Sequence, residues 1–219
     1  MIKILPSTNP CDEDKLVDYA RELSNLGVEY LHCDVMDGKF VKSTCLSADR
    51  VKEVRNNVNI LLDVHLMVEK PLKRVKEFAK LKPSIITIHF EACNDREFKK
   101  IINYLKSKDI LIGVSIKPGT DVEVLKRFID YIDLILIMSV EPGKSGQTFI
   151  ESTYEKIEKV KTLTKDRDII IEVDGGVNLD NIEKLKKLGV NFAVVGSAIF
   201  NAKNRRDFLT SCDKRYGTK

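Results

Sequence analysis

The feature that most restricts this chain is a regular alternation of short apolar runs with amphipathic, charged segments from end to end. The runs are I-K-I-L, Y-L-H-C-D-V, I-L-L-D-V-H-L, I-I-T-I-H, I-L-I-G-V-S-I, L-I-L-I-M, I-I-I-E-V and F-A-V-V. Each is four to seven residues long, and most are rich in β-branched residues, as strands buried on both faces are. Between them the spacing predicts helices over 12–26, 48–56, 71–81, 95–108, 122–128, 150–164 and 181–188, with a tail helix over 202–212. Asp12 and Asn94 are the expected N-caps, and Pro71 the first residue of its helix. Eight strand–helix units without a linker or a shift in composition describe an α/β protein, a (β/α)8 TIM barrel in one domain over 1–219. The alternative, a doubly wound open sheet, requires G-x-G-x-x-G after the first strand, where this chain has P-S-T-N-P.

Strand side chains alternate faces, so each run separates a helix-facing set from a lumen-facing set. In the second run Leu31, Cys33 and Val35 form the apolar set, which turns His32, Asp34 and Met36 inward. In the third, Leu62, Val64 and Leu66 leave Asp63, His65 and Met67 inside. In the seventh, Ile169, Ile171 and Val173 leave Glu172 and Asp174 inside. The first run directs Ser7 inward and the fourth directs Thr87 and His89. Barrel active sites lie at the C-terminal strand ends. His32, Asp34, His65 and Asp174 fall near those ends, and buried charges of this kind need partners or a metal. Two imidazoles and two carboxylates suit a divalent cation in tetrahedral or octahedral coordination. His89 is expected as a hydrogen-bonded interior histidine. Met36, Met67 and Met138 are expected as an apolar floor, and Asp37-Gly38 as a turn.

Glycines mark the strand ends on the other side. V-E-P-G-K-S-G-Q follows the sixth run, D-G-G the seventh and V-G-S-A the eighth. Gly143, Gly146, Gly175, Gly176, Gly196 and Ser197 can therefore present backbone N–H groups to a phosphate, a recurrent barrel arrangement. The 143–147 loop is a candidate lid.

Charge adds little. The net +4 is the difference of 37 basic and 33 acidic residues, interleaved along helices, which gives no case for nucleic acid. No apolar run approaches the roughly 20 residues of a membrane span, and nothing at the N-terminus reads as a signal peptide. Five cysteines without C-x-x-C spacing suggest reduced thiols in a cytoplasmic enzyme.

Taken in order, L-H-C-D-V-M-D-G-K-F-V, D-V-H-L-M-V-E-K-P, I-K-P-G-T, M-S-V-E-P-G-K-S-G-Q, I-E-V-D-G-G-V and V-G-S-A-I-F resemble the ribulose-phosphate 3-epimerase family over essentially the whole chain. That resemblance implies a metal-dependent isomerase interconverting D-ribulose 5-phosphate and D-xylulose 5-phosphate in the pentose phosphate pathway. It implies one divalent metal on His32, Asp34, His65 and Asp174, zinc first, with iron, manganese or cobalt as alternatives. Asp34 and Asp174 become the acid/base pair. Ser7 and His65 contact the phosphorylated ketose, with its phosphate among Gly143, Lys144, Ser145, Gly146, Gly175, Gly176, Gly196 and Ser197. A homo-oligomer is also implied.

Two stretches depart from the family pattern. Lys42-Ser43-Thr44-Cys45 stands where Pro-Asn and an apolar residue are usual, and Lys144-Ser145 where Phe-Gly is usual in the phosphate loop. Epimerisation of a hexulose 6-phosphate such as allulose 6-phosphate is the nearest alternative. A metal-free barrel lyase or a binding protein is the alternative of another class. A lyase would want an interior lysine, and Lys117 in Lys117-Pro118-Gly119 reads as a turn.

Overall fold

A computed structural model describes residues 2–217. Nine strands form one sheet: β1 (Lys3–Pro6), β2 (Tyr30–Asp37), β3 (Thr44–Cys45), β4 (Leu61–Met67), β5 (Ile85–His89), β6 (Leu111–Ile116), β7 (Leu134–Met138), β8 (Ile170–Asp174) and β9 (Phe192–Val195). Their order is β1-β9-β8-β7-β6-β5-β4-β2-β3. All neighbours pair in parallel except β2 and β3. The ring closes just past β1, where Ser7 bridges to His32 and the Thr8 N–H donates to the His32 carbonyl at 2.9 Å. The result is the eight-stranded barrel that the alternation predicts.

Helices α1 (Leu16–Asn25), α2 (Ala48–Asn57), α3 (Leu72–Phe78), α4 (Asp95–Lys106), α5 (Thr153–Thr164), α6 (Ile182–Lys187), α7 (Ser197–Phe200) and α8 (Arg205–Cys212) surround it. α4 shows why they dock. Phe98, Ile101, Ile102 and Leu105 recur at helical spacing and are buried, while Asn94 accepts the Glu97 N–H as the expected cap. Burying each such side chain is worth about 1.5–3 kcal/mol, and α4 buries four of them. A second apolar cluster, including Leu5, Ile85, Leu134, Leu136 and Phe192, fills the lumen. Cys33 lies in the shell core, as its face predicts, and all five cysteines are free.

The structure corrects several boundaries. Only a 3-10 turn, Val122–Leu125, stands where a helix over 122–128 was expected. Val122, Leu125 and Phe128 are buried at a spacing of three, which matches three residues per turn. Asp12 precedes a 3-10 turn and caps nothing with its side chain, its carboxylate being held by Lys15 Nζ at 2.9 Å. Pro71 occupies the N-cap position of α3 rather than the first helical one. The tail helix begins at Arg205, after the separate α7. β3 and α7 are additions, too short for a periodic signal.

Candidate active site

The chain has three histidines, and all three lie in the lumen with no accessible surface. Parallel pairing explains their convergence. Asp34 on β2 stands in register with His65 on β4, and His32 with Asp63, so alternate inward residues of adjacent strands form two levels. On the upper level Asp34 Oδ1 lies 3.4 Å from His32 Nε2 and 3.2 Å from His65 Nδ1. Asp174 Oδ2, at the end of β8, reaches the same nitrogens at 4.0 and 3.8 Å.

These residues fit a divalent cation. Each of the four offers one ligand atom, and those atoms lie within 4.8 Å of one another. Metal–ligand bonds of about 2.0–2.2 Å in a tetrahedron separate donor atoms by roughly 3.3–3.6 Å. The Asp34 edges already have that length, and Asp174 stands slightly outside it. His32 Nε2 is buried, has no hydrogen-bond partner, and faces both carboxylates. An orphaned imidazole nitrogen opposite two acidic oxygens is the donor set a cation completes.

A second layer orients the first. Asp63 Oδ2 lies 2.6 Å from His32 Nδ1 and accepts its N–H, which leaves Nε2 to face Asp34 and Asp174. Glu172 Oε1 stands 3.5 Å from the same Nδ1. The Ser7 hydroxyl donates to Asp34 Oδ2 at 2.6 Å, and the Asp34 N–H donates to Thr8 Oγ1. From the neighbouring strand β5, His89 Nε2 meets His65 Nε2 at 2.9 Å, so His89 is the hydrogen-bonded interior histidine expected of it.

The two carboxylates of the upper level have opposite preferences. Burial works against an ionised Asp34, but His32 and His65 hold its carboxyl well below the usual range. Burial and the adjacent Asp34 charge push Asp174 up to about 6, against the pull of His32 and His65. His32 is raised well above the ordinary imidazole value by Asp34 and Asp63, although burial opposes it. Burial, with Asp63 alongside, raises Glu172 far above the usual carboxylate range and favours its neutral form. Burial brings His89 down to about 4, with Glu91 opposing.

A pocket opens above this cluster. Ser7, Asp34, Asp174, Gly143, Lys144, Ser145, Gly146, Gly175, Gly176, Gly196 and Ser197 line it, as do Met36, Met67 and Met138. His65 does not line it and lies buried below. Gly176 has a φ of +64°, and a Cβ there would sit 2.5 Å from the Phe149 nitrogen, so only glycine lets the 143–149 loop approach β8. Gln147 Nε2 braces that loop by donating to the carbonyls of Glu141 and Lys144. Asp37 is the last residue of β2 rather than part of the expected turn, which begins at Gly38. Its carboxylate accepts the N–H groups of Lys39, Phe40 and Glu69.

Sequence reasoning assigned no role to several contributors. Asp63 and Glu172 were placed inward without a partner, since pattern alone cannot say which inward groups meet across a closed ring. Asn9 also lines the pocket, and its N–H donates to Ser7 Oγ. Ser139 fixes the end of β8, its hydroxyl lying at hydrogen-bond distance from the carbonyls of Asp174 and Gly175. No periodic signal marks either residue.

Comparison with known proteins accords with this arrangement. The model of the ribulose-phosphate 3 epimerase family matches residues 3–200. The chain is 36% identical over 213 residues to ribulose-phosphate 3-epimerase of Bacillus subtilis strain 168, covering 96% of this chain and 97% of that protein. It is 38% identical over 207 residues to the Helicobacter pylori strain J99 protein of the same name, covering 94% of each. Among solved structures, 3-hexulose-6-phosphate synthase from Salmonella typhimurium shares the fold, with a TM-score of 0.73 and 12% identity over 97% of both chains. The chain therefore belongs to the ribulose-phosphate 3 epimerase family, carbohydrate epimerases of the isomerase class.

Proposed function

We propose that the protein inverts C3 of D-ribulose 5-phosphate to give D-xylulose 5-phosphate, and the reverse, as a step of the pentose phosphate pathway. The observation that carries this reading is the pair Asp34 and Asp174, which line one pocket and approach the same two imidazole nitrogens from strands β2 and β8. Inversion at a carbon beside a ketone needs a base on one face and an acid on the other, and carboxylates whose environments divide them supply both. Asp34, ionised and held by Ser7, takes the C3 proton from one face of the sugar. Asp174, which holds a proton more readily, returns one to the opposite face, and the roles exchange in the reverse direction. The enediolate formed between the two transfers is the species whose charge the site has to stabilise.

His32, Asp34, His65 and Asp174 would hold one divalent cation, zinc first among candidates. When bound, it supplies Lewis-acid stabilisation of charge developing on the substrate's carbonyl and neighbouring oxygen. Gly143, Lys144, Ser145, Gly146, Gly175, Gly176, Gly196 and Ser197 would take the phosphate through backbone N–H groups, a hydroxyl and the Lys144 ammonium. The lyase alternative has little support, because among the described residues the buried polar groups include no lysine. The Lys117 ammonium lies over the Phe40 ring at 4.1 Å, outside the site.

The test is turnover by metal-reconstituted enzyme, with elemental analysis alongside, on ribulose 5-phosphate, ribulose and hexulose 6-phosphates such as allulose 6-phosphate. The expected result is bound divalent metal and preference for ribulose 5-phosphate. Each lost phosphate contact is a charge-assisted hydrogen bond worth about 1.5–3 kcal/mol, so free ribulose should be a far poorer substrate. Equal constants for ribulose and its phosphate, or no turnover of any ketose phosphate, would overturn the reading.

A further inference from the structure

His89 and Glu91 have no place in the chemistry above, yet they form a directed chain that ends on His65. The Nε2 atoms of His65 and His89 lie 2.9 Å apart. Their ring centres are 5.0 Å apart with planes 30° from parallel. That combination brings the rings together edge to edge, nitrogen to nitrogen, rather than face on face. One hydrogen occupies such a contact, and the question is which ring supplies it.

The far end of the chain answers it. His89 Nδ1 lies 3.3 Å from Glu91 Oε2. Glu91 Oε1 accepts the Lys117 N–H at 2.8 Å and the Thr120 hydroxyl. The turn carrying those donors is itself held by Lys156 Nζ, which donates to the carbonyls of Lys117, Pro118 and Thr120 at 2.6–2.8 Å. A carboxylate only accepts, so His89 Nδ1 carries hydrogen toward Glu91 and its Nε2 presents a lone pair. His65 must then donate from Nε2, which leaves its Nδ1 facing Asp34 and Asp174; without a cation that atom can carry a second hydrogen toward Asp34 Oδ1, 3.2 Å away, which a bound cation would replace. The opposite tautomer would set a bare His89 nitrogen against the carboxylate inside a dry barrel, where an unmatched polar contact is most costly.

We propose that His89, oriented by Glu91, is a positioning residue that fixes the tautomer of His65 and makes its Nδ1 the metal-ligating atom. The role parallels that of Asp63 behind His32, with an imidazole inserted between ligand and carboxylate. It rests on the metal-site reading above, and the experiment separates the two. Nitrogen-15 NMR reads the hydrogens on both His65 nitrogens, in the metal-free protein and after zinc is added. Zinc affinity is measured in parallel by competition with a chromophoric chelator, with thermal unfolding as a check on folding.

Wild type should show hydrogen on His65 Nε2 with and without zinc, and none on Nδ1 once zinc is bound. His89→Phe should give a mixture of tautomers and bind zinc about 10–100-fold more weakly, the usual cost of a lost outer partner. Glu91→Gln keeps a carbonyl oxygen that can accept from His89 and should retain the tautomer with a smaller loss of affinity. A His65 Nε2 without hydrogen in wild type, or wild-type zinc affinity in a folded His89→Phe, would overturn the proposal. If His89→Phe does not fold, the wild-type tautomer and Glu91→Gln decide it. Failure of wild type to bind zinc would instead count against the metal site itself.

Discussion

Asp34 and Asp174 approach the same two imidazole nitrogens from strands β2 and β8, which are separated around the ring by β1 and β9. The shared contact couples the two carboxylates. Ionisation of one is favoured by His32 and His65, and that charge then raises the other. That both carboxylates face one pocket follows from the register and closure of the barrel.

The raised Asp174 pKa has a definite sign in stability. Its folded value of about 6 exceeds the ordinary 3.8, so between pH 4 and 6 the folded state binds more protons than the unfolded one. In metal-free protein Asp174 therefore contributes stability below about pH 4 that is lost as pH rises through about 6. Asp174→Asn should gain stability relative to metal-free wild type across that interval, as read by denaturant unfolding at a series of pH values. With zinc added the order should reverse, because the variant loses a ligand. A difference independent of pH would contradict this account.

Gly176 is expected to tolerate no side chain. Gly176→Ala adds a methyl 2.5 Å from the Phe149 backbone nitrogen at a φ of +64°. Strain at such a position costs about 1–3 kcal/mol, so the melting temperature should fall. The displaced 143–149 loop should also raise KM for a phosphorylated substrate more than for its dephosphorylated form.

Asp37 should prove structural. Burial opposes its ionisation, but the backbone N–H groups of Phe40, Lys39 and Glu69 keep its carboxyl below the ordinary range. The stabilisation is present above about pH 4 and is lost as pH falls through the lower folded value. Asp37→Ala should destabilise by about 1–2 kcal/mol at neutral pH, through the loss of hydrogen bonds from three exposed or half-buried backbone N–H groups, and less in acid. Urea unfolding at neutral and acid pH measures both.

The upper level of the site was legible because strand alternation is rigid. Once Leu31, Cys33 and Val35 are assigned to the shell, His32 and Asp34 can only point inward, and the same holds for His65 and Asp174. What alternation cannot convey is contact across the ring. Asp63 and Glu172 meet His32 from different strands, and His89 meets His65 one level up the neighbouring strand, distances that depend on register and barrel closure. Glu91 lies in a 3-10 turn, Phe90–Ala92, outside any strand pattern. The two-residue strand β3, pairing Met36 with Cys45 and Asp37 with Thr44, is equally invisible to periodicity, because it is shorter than one repeat.

Proton exchange in heavy water addresses the two-carboxylate account most directly. Metal-loaded enzyme converting ribulose 5-phosphate in D2O should yield xylulose 5-phosphate carrying deuterium at C3. Asp34→Asn and Asp174→Asn, with metal content verified, should each lose at least the general acid–base contribution of about 10²–10⁴-fold in kcat. One of them should still exchange the C3 proton of a single epimer without converting it. Epimerisation of both sugars by metal-loaded Asp174→Asn at close to the wild-type rate would contradict the account.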